Sequence, residues 1–482
     1  MTDPDAPRAA ADRGATTDDF EVMTGLELQG ERRIPRKQVW SWALWDWATQ
    51  PFNSVITTFV FSVYLTSALF LPSDVAGLDE GDRAYDRGLA DLSSQLGLAI
   101  GIGGILIALL APVLGQRADA EGRRKAWLAF ATGGVILSMA MMFFVEADAR
   151  FFWLGAGLLA AGTVFSEIAG VNYNAMLVQV STPRTVGRVS GLGWGFGYLG
   201  GIVVLALVVA AQLSGWFGIP TEGGLNIRIV ALFCAVWTLV FSLPIFLNVP
   251  EAPPAPGRER VGFFRSYVVL VRDIARLWRE ARPTFWFLLA SAVYRDGLAG
   301  VFTFGALIAS VTFGFSFNEV VIFGVAANIV AGVSTIFAGR LDDRFGPRAV
   351  ILATLGGLVV STLVVFFAHD AGTAVFWVFG LFLSALVGPA QAASRSFLAR
   401  VTPAGREGEI FGLYATTGRA ASFLSPLLWA GFISVAGAQY WGILGIALIL
   451  AAGFVMMLFV RLPKRVADAA DSPTPSAAGT PG

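Results

Sequence analysis

The chain has 482 residues, 55% of them hydrophobic and 14% charged, with a mean hydropathy of +0.67. Soluble globular domains carry roughly 25% charged residues, so this composition excludes a soluble enzyme or binding module and requires an integral membrane protein. The 34 Lys and Arg balance the 34 Asp and Glu, which gives no pull towards nucleic acid, and the single Cys234 and single His369 leave no set for a disulfide, a histidine-based metal site or a resident cofactor.

Residues 1–38 are rich in Asp, Ala, Thr and Arg, lack the apolar core of a signal peptide, and read as a disordered tail. Apolar stretches of about 20 residues, long enough to cross a bilayer as a helix, then recur at roughly 39–71, 92–114, 126–146, 151–180, 188–213 and 226–249. Six more follow at roughly 283–312, 317–338, 348–368, 372–400, 408–435 and 439–461. The fold class this predicts is an all-α integral membrane protein of twelve transmembrane helices in two six-helix halves, 39–249 and 283–461. A cytoplasmic linker at 250–282 joins them, and a second disordered tail follows at 462–482. In the linker, Phe264, Tyr267, Val268, Val271, Ile274 and Trp278 recur at helical spacing, with Arg265, Arg272, Arg276 and Arg279 elsewhere on the wheel. That pattern predicts an amphipathic helix lying on the bilayer surface.

The first span carries an acid. Asp46, Gln50, Asn53 and Thr57 are spaced to share one helical stripe, and a carboxylate at that depth must face protein or water, so this stripe is expected to line a polar pathway. Basic residues fix the orientation. Arg32, Arg33, Arg36, Lys37, Arg123, Arg124, Lys125, Arg184, Arg188, Arg340, Arg344, Arg348, Arg400 and Arg406 all fall on one side of the spans, and the acidic loop with Asp74, Asp79 and Asp82 falls on the other. The positive-inside rule then puts both termini in the cytoplasm, across a bacterial-type plasma membrane.

The two halves repeat each other. Gly115, Asp119, Gly122, Arg123 and Arg124 follow span two, and Gly339, Asp343, Gly346 and Arg348 follow span eight at the same spacing; Thr182-Pro183 and Thr402-Pro403 correspond likewise. Each loop glycine permits a tight turn, and each acid can pair with a base or a helix N-terminus.

Further charges lie inside the spans. Asp46 and Arg395 come out about 9–11 Å from the basic ends of spans one and ten, while Glu167, Arg295, Asp296 and Arg419 lie nearer mid-span. Glu167 shares a face with Asn174, and Arg395 one with Gln391. The glycines from Gly191 to Gly201 in span five read as a close-packing face and not a ligand site.

The loop signature resembles that of the major facilitator superfamily. The stretches W-A-L-W-D-W-A, E167-I-A-G-V-N-Y-N-A-M-L, G187-R-V-S-G-L-G-W-G-F-G-Y-L-G-G, S394-R-S-F-L-A-R and G412-L-Y-A-T-T-G-R look like its vacuole-effluxer-like family of permeases. Trp45 and Thr49-Gln50-Pro51 depart from the pattern, on the pathway stripe. The resemblance implies a monomeric transporter with alternating access, spans one, four, seven and ten lining its cavity, the paired loops acting as a cytoplasmic gate, and amino-acid efflux as in its eukaryotic branch. The expectation is a secondary transporter, not an enzyme, moving a small polar solute such as a zwitterion with protons as partner. The alternatives are an exporter of amphiphilic drugs or lipids, and a membrane sensor or scaffold that has lost transport.

Overall fold

The computed structural model describes residues 24–30, 32–79, 82–251, 263–280 and 282–460. The tail at 462–482, the first 23 residues and the proline-rich start of the linker lie outside the described residues. Among the described residues, eleven helices are long and apolar enough to cross a membrane. The first span is the twelfth, and it is composite: α-helix over Arg36–Pro51, π-helix over Phe52–Val60, then α-helix over Phe61–Leu65.

Pro51 explains where the first span changes. It has no N–H to give the carbonyl one turn back, and a carbonyl freed inside a membrane needs another donor. Span six supplies them: the Trp237 indole N–H donates to the Trp47 carbonyl at 3.5 Å, and the Thr238 hydroxyl to that of Ala48 at 2.9 Å. Pro112 in span two is served similarly, but from the other half. The Thr416 hydroxyl of span eleven donates to the Ala108 carbonyl at 3.1 Å.

Span two runs over Arg83–Glu121, so it starts well before the apolar run at 92 and takes in Asp86 and Asp91. Span eleven is broken into Glu407–Ala421 and Leu424–Ala436. The closest packing between halves joins span five (Val186–Leu213) to span eight (Phe317–Phe345), and span eleven to span two. Glycine makes this approach possible. A Cβ on Gly115 would lie 2.0 Å from the Gly408 carbonyl oxygen, one on Gly339 2.6 Å from that of Gly187, and one on Gly191 2.6 Å from that of Thr335. Gly115 is therefore not a turn residue. It sits inside a helix, at a backbone contact between halves; the left-handed turns fall to Gly122 (φ +60°) and Gly346 (φ +82°). Of span five's other glycines, Gly193, Gly195, Gly200 and Gly201 pack closely, a Cβ on Gly200 meeting the Trp47 backbone at 2.7 Å, while Gly197 has more room.

The expectation of a disordered tail fails for one segment. Gly25–Gln29 is a short helix with a capping box, in which Glu27 N–H donates to Thr24 Oγ1 at 3.2 Å and Thr24 N–H to Glu27 Oε2 at 2.7 Å. Leu26 is fully buried, and the segment touches both the Met176–Gln179 turn of the first half and span ten of the second. Thr24 also pairs with Pro403 as an isolated β-bridge. A capped turn with one apolar anchor is enough to dock here because it lies across the seam. The linker helix forms over Phe263–Glu280 and rests on spans two and seven through buried Leu270 and Leu277, leaving Val268, Val271 and Trp278 outward beside exposed Arg265, Arg272 and Arg279.

Gly115→Val is expected to hold the seam apart, whereas Gly133→Val, whose Cβ meets nothing within 4 Å, leaves it shut. The readout is maleimide labelling of Ala118→Cys, a fully buried position next to the seam residue Asp119: faster in the first background and unchanged in the second.

Candidate functional site

The bonds that join the halves run from the basic end to about mid-span, in three tiers. The outermost is reciprocal. Asp119, on the first half, accepts the Gly408 N–H and the Glu409 N–H at 3.0 Å each, so it caps the first turn of span eleven in the second half. Arg124 ties it down, reaching Asp119 at 2.7 Å and Glu407 at 2.5 Å. Across the pseudo-twofold, Asp343 accepts the Gly187 N–H at 2.8 Å and the Arg188 N–H at 3.1 Å, capping span five of the first half. A carboxylate there meets both free amides and the positive end of the helix dipole. Arg400 backs this side, donating to the Pro183 carbonyl at 2.8 Å and lying 3.5 Å from buried Asp342 and 3.6 Å from Asp343.

Two loop residues expected in this tier are elsewhere. Arg123 is exposed, and Arg348 donates to the carbonyls of Val460 at 2.6 Å and Leu458 at 2.8 Å, capping the C-terminus of span twelve. Arg124 alone of the first loop's arginines carries the lock.

The middle tier is built around Arg395. Its Nε donates to Ser190 Oγ at 3.0 Å, Nη2 to the Ser190 carbonyl at 2.6 Å, and Nη1 to Asn174 Oδ1 at 3.0 Å, with Asp46 Oδ2 at 3.4 Å from Nη1. The Tyr173 hydroxyl donates to the same Asp46 oxygen at 2.9 Å. Rings of Trp42, Tyr173 and Trp194 lie 4.9, 5.5 and 5.7 Å from the guanidinium carbon, within cation–π range. Trp42 and Tyr173 are themselves stacked at 4.4 Å. Asp46 and Arg395 are thus at one level, as depth counting expects, but the aromatic enclosure was not foreseen.

The innermost tier is the ion pair of Glu167 with Arg419, between spans four and eleven. Both side chains are 34% exposed, in contrast to 3% for Arg395. Gln391 Oε1 accepts from the Tyr198 hydroxyl at 3.2 Å, another bond between halves.

The remaining mid-span charges behave otherwise. Arg295 lies over the Tyr414 ring at 3.8 Å and donates to the Tyr414 carbonyl at 2.9 Å. Asp296 points away from it and accepts the Ser425 N–H at 2.6 Å, capping the second segment of broken span eleven; the Ser425 hydroxyl returns a bond to the Asp296 carbonyl at 2.8 Å. It holds a helix end and does not serve as a counter-charge to Arg295. Nor does the single stripe of span one persist. Asp46 and Gln50 face span five, where a Cβ on Gly197 would lie 3.8 Å from Asp46 Cβ and 3.7 Å from Gln50 Oε1. Past Pro51 the π-helix bonds i to i+5 and turns the chain, leaving Asn53 exposed. Asn174 and Glu167, expected on one face, serve different tiers. Tyr173, Ser190, Trp194, Asp342, Glu407 and Gly408 were missed; Glu407 and Glu409, in the R-E-G-E run after Thr402-Pro403, were the available signal.

The model of the family described as vacuole effluxer Atg22 like matches residues 179–470, and that of the Major Facilitator Superfamily matches 6–205. A protein described as an uncharacterized MFS-type transporter, YxiO of Bacillus subtilis (strain 168), is 28% identical over 433 residues, covering 88% of this chain and 95% of that one. Autophagy-related protein 22 of Cryptococcus neoformans (var. neoformans serotype D, strain B-3501A) is 24% identical over 261 residues, 50% of this chain; the match spans just 46% of that protein. Among solved structures, the human organic anion transporter MFSD10 superposes with a TM-score of 0.67 at 16% identity, covering 88% of this chain and 99% of its own. The Major Facilitator Superfamily transporter FucP, in its outward conformation, superposes at 0.66 with 14% identity, over 89% and 99%. At these identities the structures show a shared fold.

Asp119→Ala leaves Arg124 and two helix-end amides short of a partner and is expected to cost about 3–5 kcal/mol of stability, read as thermal unfolding of the purified protein. Arg123→Ala, at an exposed position, is expected to stay within about 0.5 kcal/mol of the parent.

Proposed function

Because the chain belongs to the vacuole-effluxer Atg22-like family of the major facilitator superfamily, whose members and fold are those of transporters and not enzymes, we propose that it is a proton-coupled secondary transporter of a small polar solute. The favoured solute is an amino acid or similar zwitterion. The observation that carries this reading is the Glu167–Arg419 pair: it joins the halves, yet each partner is one-third open. A zwitterion presents the same two charges in complementary form, its carboxylate to Arg419 and its ammonium to Glu167, so it can part the pair without leaving either charge unmet. A proton on Glu167 does half of this work, which couples the solute to protons.

Alternating access then follows from rocking of residues 39–249 against 283–461. With the basic end taken as cytoplasmic by its arginines, the three tiers hold the cytoplasmic side shut, and the solute meets Glu167, Arg419, Gln391 and Asn53 from the opposite side. Asp46, Asn174 and Arg395, with Asp119, Arg124, Gly115 and Asp343, form the gate. The nearly full-length likeness to a Bacillus protein supports a bacterial-type plasma membrane. The whole pathway lies within one chain, so the working unit is a monomer. The outward-turned face of the linker helix, with its flanking arginines, suits the bilayer surface.

Proteoliposomes with an imposed pH gradient and a mixture of radiolabelled amino acids test this. Wild-type protein is expected to accumulate one or more of them, whereas Glu167→Gln is expected to retain exchange and lose accumulation. Uphill movement by Glu167→Gln at the wild-type rate would remove Glu167 as the proton carrier.

A further inference from the structure

The Arg395 guanidinium belongs to the second half, but the partners it meets in the middle tier all belong to the first. Trp42 and Asp46 come from span one, Tyr173 and Asn174 from span four, and Ser190 and Trp194 from span five. Together they supply what a planar cation needs. Each of the three guanidinium nitrogens has an acceptor within 3.0 Å, the Asp46 carboxylate stands 3.4 Å away, and three aromatic rings lie within 5.7 Å of the guanidinium carbon. Gly193 completes the wall: a Cβ there would lie 2.8 Å from Arg395 Nη2, 2.8 Å from the Tyr173 hydroxyl and 2.9 Å from the Trp42 ring.

We infer that the first half carries a receptacle for a guanidinium cation, which Arg395 fills while the basic end is closed and which a guanidinium-bearing solute fills once the halves part there. Rocking withdraws Arg395 with the second half. Asp46 and the three ring faces stay behind on the first, since their spans belong to it. A carboxylate left at that depth without a cation is costly, so the open state draws one in. A guanidinium matches the acceptors already in place, whereas an ammonium, as a point charge, matches fewer of them. Occupation by solute also blocks the return of Arg395, so solute release and gate closure become one competition. That physiological role rests on the transport reading above, but the binding itself does not.

The test separates the two. Full-length protein carrying Arg395→Ala is purified and its thermal unfolding followed against methylguanidinium, with methylurea as the neutral planar counterpart. The expected result is a saturable rise of about 3 °C or more with methylguanidinium, none with methylurea, and loss of the rise when Asp46→Asn is added. No rise, an equal rise with methylurea, or a rise that survives Asp46→Asn overturns the receptacle. Where Arg395→Ala does not fold, Ala118→Cys in the otherwise unchanged chain is used instead. Methylguanidinium is expected to speed its maleimide labelling several-fold by competing with Arg395, and an unchanged rate overturns the inference. Binding with no accumulation of any solute leaves the receptacle standing and removes the transport reading.

Discussion

A charge inside a membrane protein must have a partner, and in this chain several charges of each half find one of theirs on the other. Asp119 needs the amides of Gly408 and Glu409, Asp343 those of Gly187 and Arg188, and Arg395 needs Asp46. Removing one member of such a buried pair typically costs about 3–5 kcal/mol because the other charge is left buried without a partner, so these charges specify the docked arrangement. On the proposed rocking of the halves these contacts fail together, which favours discrete states over gradual opening. The glycines set its precision. With the Gly115 and Gly408 backbones in contact, the carboxylate of Asp119 reaches two amides at 3.0 Å; one added methyl group on either glycine would lift it out of range.

The interaction graded from basic end to mid-span also explains why the site lies where it does. The outer carboxylates cap helix ends with fixed backbone donors, and Arg395 is enclosed on all sides by polar groups and rings. The Glu167–Arg419 pair, by contrast, is one-third exposed. On the proposed function it is the member of the series that an incoming charge displaces first. The break in span eleven, held by Asp296 against Ser425 N–H, places Arg419 at the end of a helical segment instead of in a continuous rod. The π-helix after Pro51 likewise gives span one a segment that differs from its neighbours. Irregular backbone inside a membrane is tolerated where neighbouring groups satisfy it, as Trp237, Thr238 and Asp296 do.

Much of this was legible in the sequence. Spans two to twelve appear as apolar runs because a bilayer demands continuous hydrophobic length, and the repeat of Gly115-Asp119 in Gly339-Asp343 marks the pseudo-twofold. Asp46 and Arg395 could be placed at one depth by counting rise. What could not be read was which atoms meet across the seam, because that depends on how two halves dock and not on local spacing. Gly115 looked like a turn glycine since a loop follows it closely, yet its reason is the Gly408 backbone, about 290 residues on. Asp296 sat next to Arg295 in sequence and faces the other way in space. The stripe from Asp46 to Thr57 assumed an unbroken α-helix; Pro51 was in view, but the π-helix it precedes was not. The seam helix at Gly25–Gln29 was hidden by the polar composition around it, since a single anchoring Leu26 leaves no periodic signal.

The central claim is that the halves are two bodies locked at the basic end by partnered charges. Spin labels at exposed positions 123 and 344, one on each half, report their separation directly by pulsed electron resonance in reconstituted protein. The account predicts a short, narrow distance in the parent chain and a second, longer population when Asp46→Asn removes the counter-charge of Arg395. A single distance, unchanged by that substitution, would contradict it.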